Sequence, residues 1–225
     1  MTIGLRISER RTAADPDLVA RAARLPAANI GDVMNRMQAM RGGFRSYGGR
    51  RVVVGPALTV RARAGDNLLL HRAIDLAEMG DVIVCDGGGE LSTALAGDLM
   101  IGYAARRGVA ALVVDGAVRD VATIAVLDIG IWARGTTTAG PYKEGPGEIG
   151  FPVSCGGQVV MPGDLIAADE DGVVVIPRVE AESIIRAAEA HAANEAAITT
   201  AIAGGGWDRR WVGETLSAKG SVISR

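Results

Sequence analysis

The sequence predicts an α/β protein of layered design. Apolar runs of strand length alternate with amphipathic helical stretches through the first half of the 225 residues, and shorter runs broken by glycine and proline fill the second. Glycine supports the same reading: 31 residues, about 14% against a usual ~7%. Because apolar segments recur throughout, this excess points to many tight turns between short elements and not to disorder.

Residues 1–14 are arginine-rich with little periodicity and read as a mobile arm. Asp15-Pro16 starts a helix, a capping residue followed by proline at the first helical position, which should run to about Arg24. A second short helix is expected after Asn29, with Ile30, Val33, Met34 and Met37 on one face, and residues 38–50 read as a loop. Val52 to Ala62 reads as a strand interrupted at Gly55-Pro56. Asp66 caps a helix with the stripe Leu69, Leu70, Ala73, Ile74 and Ala77, and Val82 to Cys85 is a buried strand. Asp86-Gly87-Gly88-Gly89 predicts a tight turn lining a crevice; it lacks the G-x-G-x-x-G spacing of a dinucleotide loop.

Asp98 opens the next helix, Gly108 follows its end, and Ala110 to Val114 is a second buried strand. Asp120 to Leu127 looks helical, ended by Gly130. Strands are then expected at Ile131–Arg134, Val153–Cys155, Gln158–Met161, Leu165–Ala168 and Val173–Ile176. A long alanine-rich helix covers Val179 to about Ala203, ended by Gly204-Gly205-Gly206. The domain is therefore placed at 15–203, and 204–225, with Trp207 and Trp211, forms a tail suited to docking on a neighbouring subunit.

Formal net charge is −2, so no basic field points to nucleic acid or an anionic membrane. No apolar stretch approaches the ~20 residues of a membrane span, and the charged start lacks a signal-peptide core; a cytoplasmic location is the default expectation. Cys85 and Cys155 each adjoin an apolar run and read as reduced, buried thiols. Two cysteines and two histidines without paired spacing make no zinc site.

The densest chemistry lies between Asp98 and Asp120. A helix followed by a strand returns the chain to its starting edge, so Asp98 before the helix and Arg119-Asp120 after the strand can share one crevice. Two carboxylates and a guanidinium there suit a small anionic substrate held beside a divalent cation. Each residue has a structural alternative. Arg119 could simply pair with Asp98 or Asp115, Asp120 could cap the following helix, and Asp98 could serve only its own helix start.

The spacing Asp-x20-Arg-Asp, set in Gly97-Asp98-Leu99-Met100 and Asp115-Gly116-Ala117-Val118-Arg119-Asp120, resembles the signature of the RraA-like family. Its enzymatic members are divalent-metal 4-hydroxy-4-methyl-2-oxoglutarate/4-carboxy-4-hydroxy-2-oxoadipate aldolases, the class II pyruvate aldolases. Gly55-Pro56-Ala57-Leu58-Thr59-Val60, Gly80-Asp81-Val82-Ile83-Val84, Pro162-Gly163-Asp164-Leu165 and the run from Asp171 to Pro177 extend the match. The resemblance implies a swivelling β/β/α sandwich assembled as a homotrimer or hexamer.

It further implies retro-aldol cleavage of a 4-hydroxy-2-oxo acid to pyruvate, with oxaloacetate decarboxylation as a companion activity. On that reading Arg119 grips the 2-oxo acid and Asp120 holds the cation, magnesium first, with manganese or cobalt as substitutes. Asp98 holds a water or the substrate hydroxyl, and Gly97 to Met100 receive the substrate carboxylate. A glutamate of the last long helix, Glu195 or alternatively Glu189, reaches a neighbouring subunit's metal through water. The loops Arg41–Arg50 and Gly140–Gly147 are expected to meet the distal end of the substrate. The alternative is a non-catalytic member that binds and regulates a ribonuclease; those regulators depart from Arg-Asp at the metal position, which this chain keeps. The only lysines, Lys143 and Lys219, lie outside the motif, which disfavours Schiff-base chemistry.

Overall fold

The computed structural model describes residues 2–9, 13–41 and 43–222. In chain order its elements are β1 (Leu5–Ile7), α1 (Pro16–Ala22), α2 (Ala27–Val33), β2 (Arg45–Ser46), β3 (Val53–Ala62), α3 (Leu68–Leu76), β4 (Val82–Ala96) and α4 (Asp98–Arg106). Then come β5 (Ala111–Val118), α5 (Val121–Ile124), β6 (Gly130–Thr136), β7 (Gly147–Ile149), β8 (Val153–Cys155), β9 (Gln158–Val160), β10 (Leu165–Asp169), β11 (Gly172–Ile176), α6 (Ala181–Ala203) and α7 (Arg210–Ala218). The chain divides into two compact units, residues 1–188 and 189–225.

In the first unit β3, β4, β5 and β6 are mutually parallel and form the centre of a sheet ordered β1-β7-β3-β4-β5-β6-β2. Parallel strands are buried on both faces, and every residue of β5 is buried accordingly. Alternate residues feed separate cores. Ile83, Cys85, Leu112 and Val114 pack with Leu70 and Ile74 of α3 and Ile101 and Ala104 of α4. Val82, Val84, Val113 and Trp132 face Cys155, Val160, Ile166 and Val175 on the opposite side. A third cluster joins Ile30 of α2 and Ile184 and Ile185 of α6 to Leu165 and Ile176. The result is the mixed α/β layering expected from the sequence, helices on one face and short strands on the other.

β3 is not interrupted at Gly55-Pro56; it changes partner there. Val53 to Pro56 pair antiparallel with β10, and Ala57 to Arg61 pair parallel with β4. Gly55 is required by closeness, since a Cβ there would sit 2.2 Å from the Gly80 carbonyl oxygen. Other elements shift against expectation. α2 starts at Ala27, two residues before Asn29, because the Asp169 carboxylate accepts the Ala27 N–H at 2.8 Å; Met37 lies beyond the helix and is exposed. Within the expected loop, Arg45-Ser46 pair with Ala133 and Trp132. α5 is a single turn, and Gly130 begins β6 instead of ending a helix. From the segment assigned to the arm, Leu5–Ile7 pair with β7 through Gly147–Ile149, a strand absent from the sequence reading, and Arg6 Nε donates to Glu148 Oε1 at 2.6 Å. Residues 10–12 of that segment lie outside the described residues.

Both cysteines are free and buried, in different core clusters, and burial pushes both thiols above their ordinary range. Among the described residues no helix is long and apolar enough to cross a membrane.

The second unit contains the later part of α6 and all of α7. α6 buries only Ala181, Ile184, Ile185 and Ala188, all in its first turns. In the second unit Trp207, Trp211 and Leu216 are exposed.

Candidate active site

The carboxyl ends of β4 and β5 bring the predicted residues together, where open parallel sheets generally present their ligand crevices. Ala96 pairs with Val118, and the Arg119 N–H donates to the Ala96 carbonyl at 3.0 Å, so Gly97-Asp98 and Arg119-Asp120 leave the sheet side by side. Asp98 is the first residue of α4, and its N–H donates to Asp120 Oδ2 at 3.2 Å. Arg119 Nε lies 3.4 Å from the same oxygen.

Gly97 makes this convergence sterically feasible. A Cβ there would stand 2.5 Å from Asp120 Oδ2 and 3.0 Å from Arg119 Nε. Gly140 flanks the other side, where a Cβ would meet Arg119 Nη1 at 3.0 Å.

Arg119 pairs with the neighbouring Asp120 carboxylate, which also accepts the Asp98 N–H. Asp120 precedes α5 and its carbonyl accepts the Thr123 and Ile124 N–H groups, but its side chain makes no capping bond. Its backbone is left-handed, φ 59° and ψ 37°, a conformation costly for a residue with a Cβ and typical of functional turns. That twist turns the carboxylate toward Asp98 instead of α5. Arg119 is not consumed by Asp115 either, because Asp115 pairs with Arg134. Its guanidinium side chain stays 42% exposed, available to a ligand.

In the first turn of α4 two of the three leading amides are already engaged: Asp98 N–H with Asp120, and Leu99 N–H with the Asp98 carboxylate at 2.7 Å. The Met100 amide is the remaining donor of that turn for an incoming anion.

A cavity of about 160 Å³ lies over these groups, lined by Asp98, Leu99, Met100 and Arg119 together with Asn67, His71 and Lys143. Asp120 stands at its margin, next to Arg119. Three lining residues were not singled out from the sequence. Asn67 is buried; its Nδ2 donates to the Leu95 carbonyl at 2.9 Å, and its Oδ1 has no partner among the described residues. An unsatisfied amide oxygen beside a cavity is costly without a ligand or water. His71 is held below the usual imidazole range, first by burial and then by the positive charge of Lys143, with Asp75 opposing. The one available signal was Lys143, the sole lysine of the glycine-rich loop 140–147.

That loop does reach the cavity, through Pro141 and Lys143. None of the described residues of Arg41–Arg50 lines it: Arg45-Ser46 pair with β6 and Tyr47 packs on the core. Nor does Asp86–Gly89 form a turn beside the crevice. β4 continues through it with register shifts, and Gly87 and Gly89 sit against Asp115. Glu195 lies on α6 in the second unit, its Oε1 3.4 Å from His191 Nε2, and Glu189 precedes it on the same helix.

Residues 27–175, two thirds of the chain, match the RraA-like (Aldolase/RraA) family. The chain belongs to that family. A Halalkalibacterium halodurans protein named "putative 4-hydroxy-4-methyl-2-oxoglutarate aldolase" is 39% identical over 189 residues, 84% of this chain and 90% of that one. Among solved structures, Streptomyces coelicolor RraAS2, described as an unusual member of the RNase ES inhibitor RraA family, superposes with a TM-score of 0.74 at 30% identity. That match covers 83% of this chain and 97% of its own. The RNA-processing inhibitor RraA of Thermus thermophilus gives a TM-score of 0.64 at 35% identity, covering 68% and 93%.

For the RraA-like family the sequence resemblance implies a divalent cation, and the donor set here suits one. Asp120 keeps Oδ1 clear of any hydrogen bond among the described residues, and only Oδ1 of the Asp98 carboxylate is engaged, by the Leu99 amide. These are hard oxygen donors, and the cavity beside them is also lined by the His71 imidazole. Mg²⁺ takes one or two such carboxylates and fills the rest of its shell with water and substrate.

Proposed function

We propose that this protein is a divalent-metal pyruvate aldolase. It cleaves a 4-hydroxy-2-oxo acid carrying two or three carboxylates into pyruvate and a second oxo acid, and decarboxylates oxaloacetate through the same enolate. One observation carries the reading: Asp98, Arg119 and Asp120 converge on one cavity edge, with Asp120 twisted into a left-handed conformation and withheld from capping α5. The 39% identity to a protein named as an aldolase supports it.

Asp120, assisted by Asp98, would hold the cation, which when bound supplies Lewis-acid stabilisation to the 2-oxo group. Arg119 orients the 2-oxo acid, its planar fork matching a carboxylate or keto oxygen, and the Met100 N–H donates to the carboxylate end. Asp98 accepts the C4 hydroxyl proton, directly or through water. The electron pair of the C3–C4 bond then moves onto the pyruvyl fragment as an enolate while C4 becomes a carbonyl. Arg119 faces the oxygen on which that negative charge develops, so its positive charge counts for more in the transition state than in the ground state. Protonation of the enolate at C3 completes pyruvate. In oxaloacetate the departing group is CO₂ and the same enolate remains.

The cation is magnesium, with manganese or cobalt able to replace it. The working assembly is a homo-oligomer, trimer or hexamer, in which Glu195 of a neighbouring copy supports the cation through water and the tail after Gly204 docks on an adjacent copy. A cytoplasmic location fits this chemistry. The test is pyruvate release from oxaloacetate, followed through a coupled lactate dehydrogenase with Mg²⁺ or Mn²⁺ added and withdrawn. Metal-dependent release supports an aldolase. No release with any of these metals, alongside inhibition of a ribonuclease by the same preparation, would favour the regulatory reading suggested by the named RraA neighbours.

A further inference from the structure

Both ladders beside β5 lose register at the same place, four residues before Arg119. Toward β4 the pairing passes from Asp86–Asp115 to Glu90–Gly116 and then Ala94–Ala117, so β4 advances eight residues while β5 advances two. Toward β6 it passes from Val114–Ala133 to Ala117–Gly135, leaving Asp115, Gly116 and Arg134 out of the ladder. β5 stays paired with the bulged β4 through Asp115 to Val118, so the pairing interrupted within β5 is that toward β6.

The skipped residues make a side-chain connection instead. Arg134 grips the Asp115 carboxylate with both Nε and Nη2, the latter at 3.2 Å, and Asp115 Oδ2 also accepts the Gly156 N–H at 2.7 Å. The Asp115 side chain is 7% exposed, and Phe44 stacks under the Arg134 guanidinium at 5.5 Å. Beyond this connection the ladder resumes for only two β5 residues, Ala117 and Val118, before Arg119 and Asp120 leave the sheet.

We propose that Asp115 and Arg134 are positioning residues. Their buried ion pair replaces the ladder bonds missing toward β6 and sets the projection of Arg119 into the cavity and of Asp120 beside it. Neither touches the cavity. The kinetic part of this inference rests on the aldolase reading; the structural part does not.

The test compares metal-free wild type with Asp115→Asn, Arg134→Lys, and the double variant Asp115→Asn/Arg134→Gln, which removes both charges and keeps a hydrogen bond should the single variants fold poorly. Arg50→Gln, breaking the exposed pair with Asp128, is the control. Amide hydrogen exchange over residues 116–124 should quicken by about tenfold in the single variants, with 82–86 unchanged, because local opening tracks local bonding. The control should match wild type. With saturating Mn²⁺ added to the same preparations, the decarboxylation kcat should fall by about tenfold or more with a smaller change in KM, as expected when a catalytic group is displaced without loss of binding. The double variant should recover part of both. Exchange at 116–124 equal to wild type, or rising evenly across the sheet, would overturn the proposal. A wild type without activity would defeat the aldolase reading while leaving exchange to judge the positioning role.

Discussion

Gly97→Ala isolates the geometry of the site from the stability of the fold. Gly97 has φ −139° and ψ −173°, extended backbone open to alanine, so the substitution introduces no conformational strain. Its effect is steric. The new Cβ would lie 2.5 Å from Asp120 Oδ2, 3.0 Å from Arg119 Nε and 3.1 Å from Arg119 Cγ. Relieving the first contact displaces the carboxylate by roughly 0.5–1 Å, given ordinary nonbonded separations beyond 3 Å. That movement breaks its 3.2 Å bond to the Asp98 amide and carries Arg119 with it. Misplacements of that size cost on the order of 100-fold in rate, equivalent to about 2.7 kcal/mol of transition-state stabilisation. The assay is kcat/KM for oxaloacetate with saturating Mn²⁺, beside a melting curve. We expect a loss near 100-fold with a melting temperature close to wild type. A variant within twofold of wild-type kcat/KM would refute the argument that Gly97 holds these two side chains in register.

Asp120→Ala should remove metal-dependent turnover altogether, and calorimetric titration with Mn²⁺ should lose its site; persistence of both would refute the assignment. Arg119→Lys keeps the charge and loses the fork, so about 100-fold or more of kcat/KM should disappear, whereas near-normal kinetics would contradict a bidentate role. Glu148 is depressed to about 2, first by the hydrogen bond from Arg6 and then by the Gly4 N–H. Its contribution is therefore complete above its ordinary 4.5 and is lost as pH falls toward 2. The difference in melting temperature between wild type and Glu148→Gln should shrink between those values, and a constant difference would oppose this account of the β1–β7 edge. His71 should titrate below 6.5 by proton NMR, and Lys143→Met should raise its midpoint; an unmoved midpoint would mean that the two do not share the cavity.

Much of this arrangement was legible because its signals are local. Asp15-Pro16, the stripe Leu69 to Ala77 and the apolar run before Asp115 each specify an element through neighbours in sequence, and each element forms. The bounds differ: α1 ends at Ala22, α3 starts after Asn67 instead of Asp66 and ends before Ala77, and β5 runs on to Val118. Asp98 and Arg119-Asp120 could be placed at one edge from the helix-strand return alone. Nonlocal partners were not legible. β1 and β7 have three residues each and no pattern of their own; β7 pairs with β3 on one side and β1 on the other, and Arg6 of β1 bonds Glu148 of β7, all partners distant in sequence. The Gly87–Gly89 segment carries turn residues, and Gly88 and Gly89 take positive φ, but both sides of the bulge remain bonded to the sheet. Asn67 and His71 belong to a helix start whose own periodicity explains them without reference to Arg119.

The central claim, that Asp98, Arg119 and Asp120 together hold a cation-bound 2-oxo acid, is tested most directly by a crystal structure with Mn²⁺ and pyruvate. Anomalous density should appear about 2.1–2.2 Å from an Asp120 oxygen, as oxygen ligation of such a cation requires, with pyruvate between it, Arg119 and the start of α4. Cation or pyruvate density away from these side chains would contradict the account.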